Sequence, residues 1–227
     1  MKNLKIIILA ALAILAAACN DNDNIADIEN VKPVEIVNGQ ENGVDYADLG
    51  LPSGTLWATC NVGATSPEHP GLYFAWGETV GYTAEYVESG ERAFDYENYT
   101  DPSVSGNLKL EQDAARVNLG GNWRMPTYDE WKELIENCNV SWEKNYNGTG
   151  VAGRVFTSRV NGNSVFFPAA GCCFLSSAHD VGSYGYYWSA SWGESRVLSL
   201  YFGSGFQSRY NSIRYCGYSV RGVWRKC

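Results

Sequence analysis

From Val44 onward the chain alternates short apolar runs with turn residues, and no repeat of fixed period emerges. Runs bounded by Gly, Ser, Asn and Pro predict strands at Thr55–Cys60, Leu72–Trp76, Arg154–Ser158, Ser164–Ala169, Tyr186–Ser191, Val197–Phe202 and Tyr218–Val223. In Val197–Phe202 a period of two turns Leu198, Leu200 and Phe202 inward and leaves Val197, Ser199 and Tyr201 outward. Two segments follow helical spacing instead. Leu110, Ala114 and Val117 recur at i, i+4 and i+7 and end at Gly120-Gly121. Thr127-Tyr-Asp-Glu130 has the form of a capping box, with Trp131, Leu134, Ile135 and Cys138 on one helical face behind it. That face is expected to be core, together with Trp123 and Trp188.

Ahead of Val44 the pattern changes. Lys2 and Lys5 precede an apolar run, Ile6–Leu15, too short for a comfortable transmembrane span, and Ala16-Ala17-Ala18 then leads into Cys19. This is the order of a bacterial lipoprotein signal. Residues 1–18 therefore read as a signal peptide, Cys19 as the lipidated first residue of the mature chain, 19–43 as a flexible acidic stalk, and 44–227 as one domain. The protein is expected to be an outer membrane lipoprotein exposed at the cell surface, touching the membrane through its lipid only. The full chain carries a net charge of −8; without Lys2 and Lys5, 15 basic residues face 25 acidic ones, a net −10. That balance argues against general nucleic-acid binding.

Residues 183–223 depart from the acidic background. This window holds eleven of the aromatic residues and four arginines but no Lys, no Asp and one acid, Glu194, for a local charge of +3. Tyr and Trp give contact area at small entropic cost, Ser and Gly adapt their hydrogen bonds, and Arg presents a rigid fork of donors. Candidate ligand contacts are Trp192, Tyr201, Phe206, Arg209, Tyr210, Arg214 and Tyr215. Catalytic and metal patterns are missing from the sequence. His69 and His179 stand alone, no CxxC occurs, Gly120-Gly121 lacks the lysine of a phosphate loop, and Asp129 and Glu130 suit a helix start. No cofactor is indicated. Cys60, Cys138, Cys172, Cys173, Cys216 and Cys227 are free to oxidise outside the cytoplasm, and their pairing is left open.

Several ordered motifs resemble one known pattern. They are Asp48-Leu-Gly-Leu-Pro-Ser-Gly-Thr-Leu-Trp57 with Cys60-Asn-Val-Gly-Ala64, Tyr73-Phe-Ala-Trp76-Gly-Glu78, Gly120-Gly-Asn-Trp123-Arg124-Met-Pro126, Phe167-Pro-Ala-Ala-Gly171, Tyr187-Trp188-Ser-Ala-Ser191 and Gly217-Tyr-Ser-Val-Arg221. Together they look like the Fibrobacter succinogenes major paralogous domain of surface lipoproteins from gut Bacteroidetes. The stretch Asn20-Asp21-Asn22-Asp23-Asn24 likewise resembles the export tag of such lipoproteins. That family is similar in turn to the C-type lectin-like fold of formylglycine-generating enzymes and retroelement variable proteins. The resemblance implies an α+β, C-type lectin-like fold, loop-rich, with two helices around a small twisted antiparallel sheet and a displayed C-terminal face. Within it, Arg124 and Arg221 are expected to anchor buried polar networks rather than meet ligand.

The function expected is a surface-anchored binding protein, not an enzyme, holding an unidentified protein or glycan on its C-terminal aromatic and Arg face. The mix of Ser, Tyr, Arg, Gly, Phe and Cys from Trp192 to Cys216 is compatible with diversification by a retroelement. Two alternatives stand beside it: a formylglycine-generating-type oxidase, whose Arg-Gly-Gly-Ser stretch is absent here, and a structural or adhesive surface module.

Overall fold

A computed structural model describes residues 37–104, 106–193 and 196–226, apart from the side chains of Arg209 and Tyr210. The expected signal peptide, Cys19, the expected stalk as far as residue 36, Glu194 and Cys227 lie outside the described residues. Strands β1 (Gly39–Glu41), β2 (Val44–Ala47), β3 (Thr55–Asn61) and β4 (Tyr73–Phe74) come first, followed by the short helices α1 (Ala84–Glu88) and α2 (Ala114–Leu119). Helix α3 (Tyr128–Asn137) runs straight into β5 (Cys138–Glu143), β6 (Gly153–Ser158) and β7 (Ser164–Pro168). A small hairpin, β8 (Cys172–Phe174) and β9 (Ser177–His179), precedes β10 (Gly185–Trp192), β11 (Val197–Phe202) and β12 (Gln207–Ser212). Strands β13 (Tyr218–Ser219) and β14 (Arg221–Arg225) close the chain.

Four sheets form among the described residues, in the orders β1-β2-β3-β14, β12-β11-β10-β13-β4, β5-β6-β7 and β8-β9. All pairings are antiparallel except β10 with β13, which meet through Tyr187 and Ser219. This architecture overturns the two-helix α+β, C-type lectin-like arrangement expected from the sequence. The protein is mostly β, 38% strand against 15% helix, and its helices are short. One reason lies at Asp113, whose extended backbone breaks the run Leu110–Val117 into a single turn and a six-residue helix. The Asp113 carboxylate caps that helix by accepting from the Arg116 amide at 2.9 Å, and it also accepts from the Met125 amide. Leu110 and Val117 are consequently exposed rather than core-facing.

The other reason is strand hidden in stretches that read as helix end, loop or stalk. Cys138, Val140 and Trp142 alternate with Asn139, Ser141 and Glu143, a period-two pattern masked because Cys138 also completes the helical spacing of α3. Strand β12 has no apolar alternation, yet it pairs with β11 at six successive positions through its backbone. Strand β1 falls inside the expected stalk, where the Asn38 amide bonds the Tyr46 carbonyl and the Glu41 carbonyl accepts from the Trp123 indole at 2.8 Å. Residues 39–41 are therefore strand, and 42–43 form the turn into β2.

Helix α3 starts as its capping box predicts. Thr127 Oγ1 accepts from the Glu130 amide at 3.2 Å, and the Glu130 carboxylate accepts from the Thr127 amide at 2.9 Å. Glu130 also receives Arg124 through two bonds of 2.7 and 2.6 Å, and Arg225 at 3.0 Å. The helix buries Trp131 and Leu134 against Trp57, Phe167, Tyr187, Leu200 and Phe202 in one core. Trp57 and Trp131 meet at 4.6 Å between ring centroids. A second core holds Trp76, Trp188, Val197 and Tyr218. Strands β10 and β11 contribute to both, so β11 is covered on its two faces. Val197 and Ser199, expected to point outward, are fully buried.

Arg221 is wholly enclosed. Its guanidinium donates to Asn61 Oδ1 at 2.9 Å, to the carbonyls of Ala58 and Thr59, and to the Phe166 carbonyl at 2.9 Å, and it lies 4.4 Å over the Phe167 ring. It thereby ties the sheet of β3 to that of β7, as the anchoring role expected of it requires.

Candidate functional site

Two depressions open in the C-terminal half. The larger is a groove of about 780 Å³, lined by Glu68, Trp142, Lys144, Tyr184 and Phe206 over a floor of small residues such as Ala152, Ala169 and Gly182. Phe206 belongs to the turn joining β11 to β12, where the Gly203 amide bonds the Phe206 carbonyl at 3.0 Å. Arg154 of β6 fixes this turn from behind. Its Nε and Nη2 donate to the Gly203 carbonyl at 2.9 and 2.7 Å, and its Nη1 donates to the Gln207 side chain. Arg154 is only 5% exposed, and burial pulls its pKa below the ordinary value. A buried cation held by uncharged acceptors is a costly way to pin a turn, so the turn's position matters to the fold or to the groove.

Behind Phe206 runs a continuous set of aromatic contacts. Tyr184 and Phe206 both meet Tyr201, at 5.4 and 5.1 Å between centroids. Tyr201 stacks on Tyr186 at 4.7 Å, Tyr186 meets Tyr218 at 5.1 Å, and Tyr218 stacks on the buried Trp188 at 4.2 Å. The groove's aromatic side is thus an extension of the second core. The Tyr186 hydroxyl donates to Asp180 Oδ2 at 2.7 Å, and burial, followed by that hydrogen bond and then the Asp180 charge, drives its pKa far above the usual phenol range. It remains a donor at any physiological pH.

The smaller groove, of about 270 Å³, lies between residues 96–101 and 192–215. Arg214 sits 5.2 Å over the Trp192 ring, and its Nη1 contacts Asp101 Oδ1 at 2.8 Å. Trp192 leans on Trp76 at 5.6 Å, Tyr96 meets Tyr215 edge-on at 6.3 Å, and the Tyr99 hydroxyl donates to the Trp76 carbonyl at 2.7 Å. Arg196 completes the rim.

The residues singled out in the sequence divide between these places. Trp192, Arg214 and Tyr215 meet in the small groove, Phe206 lines the large one, and Tyr201 stands half-buried behind Phe206. Arg209 and Tyr210 lie on β12 in register with Leu200 and Ser199; their side chains are outside the described part. Sequence reasoning missed Trp142, Arg154 and Tyr184 at the large groove and Tyr96 and Tyr99 at the small one. An arginine inside the apolar run Arg154-Val-Phe was the one local signal for the clamp. Nothing local ties residues 96–101 to residues near 214.

Thiol chemistry finds little support. Burial pushes Cys138 and Cys216 up to about 11 and Cys172 and Cys173 up to about 12, with neighbouring Cys216 and Asp180 adding to the effect on Cys172. These groups are protonated near neutrality, whereas a nucleophile or soft-metal ligand must be thiolate. Among the described residues, no three His, Cys, Asp or Glu side chains gather closely enough to hold a metal ion. Comparison with known proteins adds nothing further: no family model, curated protein or solved structure matches the chain.

Proposed function

We propose that this chain is a surface-anchored binding protein that holds a glycan or protein ligand on its C-terminal aromatic face and performs no chemistry on it. The observation that carries the reading is the aromatic series from Trp188 to Phe206, which begins in the core and ends at the open groove. Rings braced by one another and by the Arg154 clamp have already lost their rotamer freedom on folding, so a ligand gains their contact area at little further entropic cost. The groove's volume also lies within the range of sites that enclose small or chain-like ligands. Protonated, buried thiols disfavour the oxidase alternative. The signal-like order ending at Cys19, and the motif resemblance to a surface-lipoprotein family, support anchoring by lipid at the outer membrane.

Glycan and protein arrays probed with the full chain provide the test. Phe206→Ala and Trp142→Ala should each weaken the captured interaction by more than about tenfold, as hot-spot aromatics do, while the thermal midpoint moves little. Capture that is indifferent to both substitutions would remove this groove as the site.

A further inference from the structure

We infer that the small groove is a subsite for a carboxylate-bearing sugar ring, a hexuronate, with Arg214 as its anion-binding residue and Asp101 as a displaceable stand-in for the ligand's carboxylate. The inference rests on the binding-protein reading, and extends it to the class of ligand. Arg214 is held in the right posture without being used up. Trp192 supports the face of its guanidinium, and Asp101 touches only Nη1. A planar fork that could grip a carboxylate with two parallel bonds is therefore engaged by one.

Asp101 is suited to yield. Its side chain is 46% exposed, so its ion pair with Arg214 contributes little and is readily exchanged. On leaving, it keeps a partner, because Oδ1 also accepts from the Ser103 amide at 2.9 Å. The surroundings favour an anion as well. Arg196 stands on the same rim, and this basic spot lies in a chain of net charge −8 that repels anions elsewhere.

The remaining lining points to a ring rather than a flexible acidic side chain. Tyr96 is 77% exposed and set at 77° to Tyr215, whose ring also stacks on Phe174, so Tyr96 offers the open aromatic face and both rings carry phenol groups. Polarised C–H groups on the flat face of a sugar suit the negative face of such rings, and its hydroxyls suit the phenols. At about 270 Å³ the space is too small for a length of peptide.

The test titrates the full chain with galacturonate and glucuronate oligosaccharides, their methyl esters, and a glutamate-rich peptide, following tryptophan fluorescence. The acidic oligosaccharides should bind, the esters should not, and binding should weaken with added salt. Arg214→Met should reduce affinity by more than about tenfold; Arg214→Lys, keeping the charge but losing the fork, should fall between. Asp101→Asn should strengthen binding by about threefold, since it removes a competing surface ion pair. A role for Arg214 and Asp101 in folding alone predicts loss in both variants, not opposite signs. Equal binding of acid and ester, weakened binding in Asp101→Asn, preference for the peptide, or no binding by either oligosaccharide would each overturn the inference. If Phe206→Ala abolishes capture on the arrays while these probes fail, the binding-protein reading stands and only the uronate subsite falls.

Discussion

Replacing Glu130 by Gln tests whether the polar centre behind α3 holds the domain together. Glu130 is nearly enclosed, and burial alone would raise its pKa; hydrogen bonds and charge from Arg124, the Thr127 amide and the Arg225 charge outweigh burial and bring it from 4.5 to about 2. That difference, 4.5 less about 2, corresponds to about 3 kcal/mol of folding free energy. Arg225 is half exposed, so most of the effect belongs to Arg124. A carboxyl whose folded pKa is depressed stabilises fully above its unfolded value, and that stability drains away as pH falls from about 4.5 toward 2. Glutamine keeps the shape but cannot ionise. Urea unfolding followed by tryptophan fluorescence should thus place Glu130→Gln about 3 kcal/mol below wild type at pH 7. By about pH 3 the difference should be less than half as large. A gap that is absent at pH 7, or unchanged at pH 3, would refute the argument.

Three further outcomes follow from the same structure. Trp131→Ala should cost about 3–5 kcal/mol in the same unfolding assay, because it empties the contact between Trp57 and Phe167; an unaltered midpoint would show the core is misassigned. Arg154→Met should weaken capture of any array ligand that depends on Phe206, with near-wild-type binding showing that the 203–207 turn needs no clamp. Cys19→Ser should end lipid labelling and release the protein from membrane fractions, and persistent labelling would dismiss the lipoprotein reading.

Elements with their own local chemistry were legible in the sequence. The capping box of α3 depends on residues three apart, and β11 matches its predicted span because a dense apolar run pairs on both sides. Burial of Trp123, Trp131, Trp188 and Arg221 was likewise foreseen. The fold class failed where order comes from distant partners. Strand β12 owes its form to β11, and the fate of Leu110–Val117 was decided by Asp113 bonding Met125, not by hydrophobic spacing. The alternation that correctly turned Leu200 and Phe202 inward misled at Val197, because a period of two marks a single covered face while β11 has two. At the candidate site, aromatic and Arg composition drew attention to the C-terminal half, which contributes residues to both grooves. It could not supply Tyr96, Tyr99 or Trp142, which reach the grooves only through the tertiary arrangement.

The closing strand β14 pairs with β3, and Arg221 reaches back 160 positions to Asn61. The first sheet therefore stays incomplete until residues 221–225 have been made. A sheet closed by so distant a pairing forms late, because the entropy of closing the long intervening loop must be overcome before the contact contributes. A chain ending before residue 221 lacks the Arg221 tie and the last strand, which leaves an edge of β3 unpaired and Asn61 without that partner. The segment between β7 and β14, which contributes lining to both grooves, is bracketed by that closure.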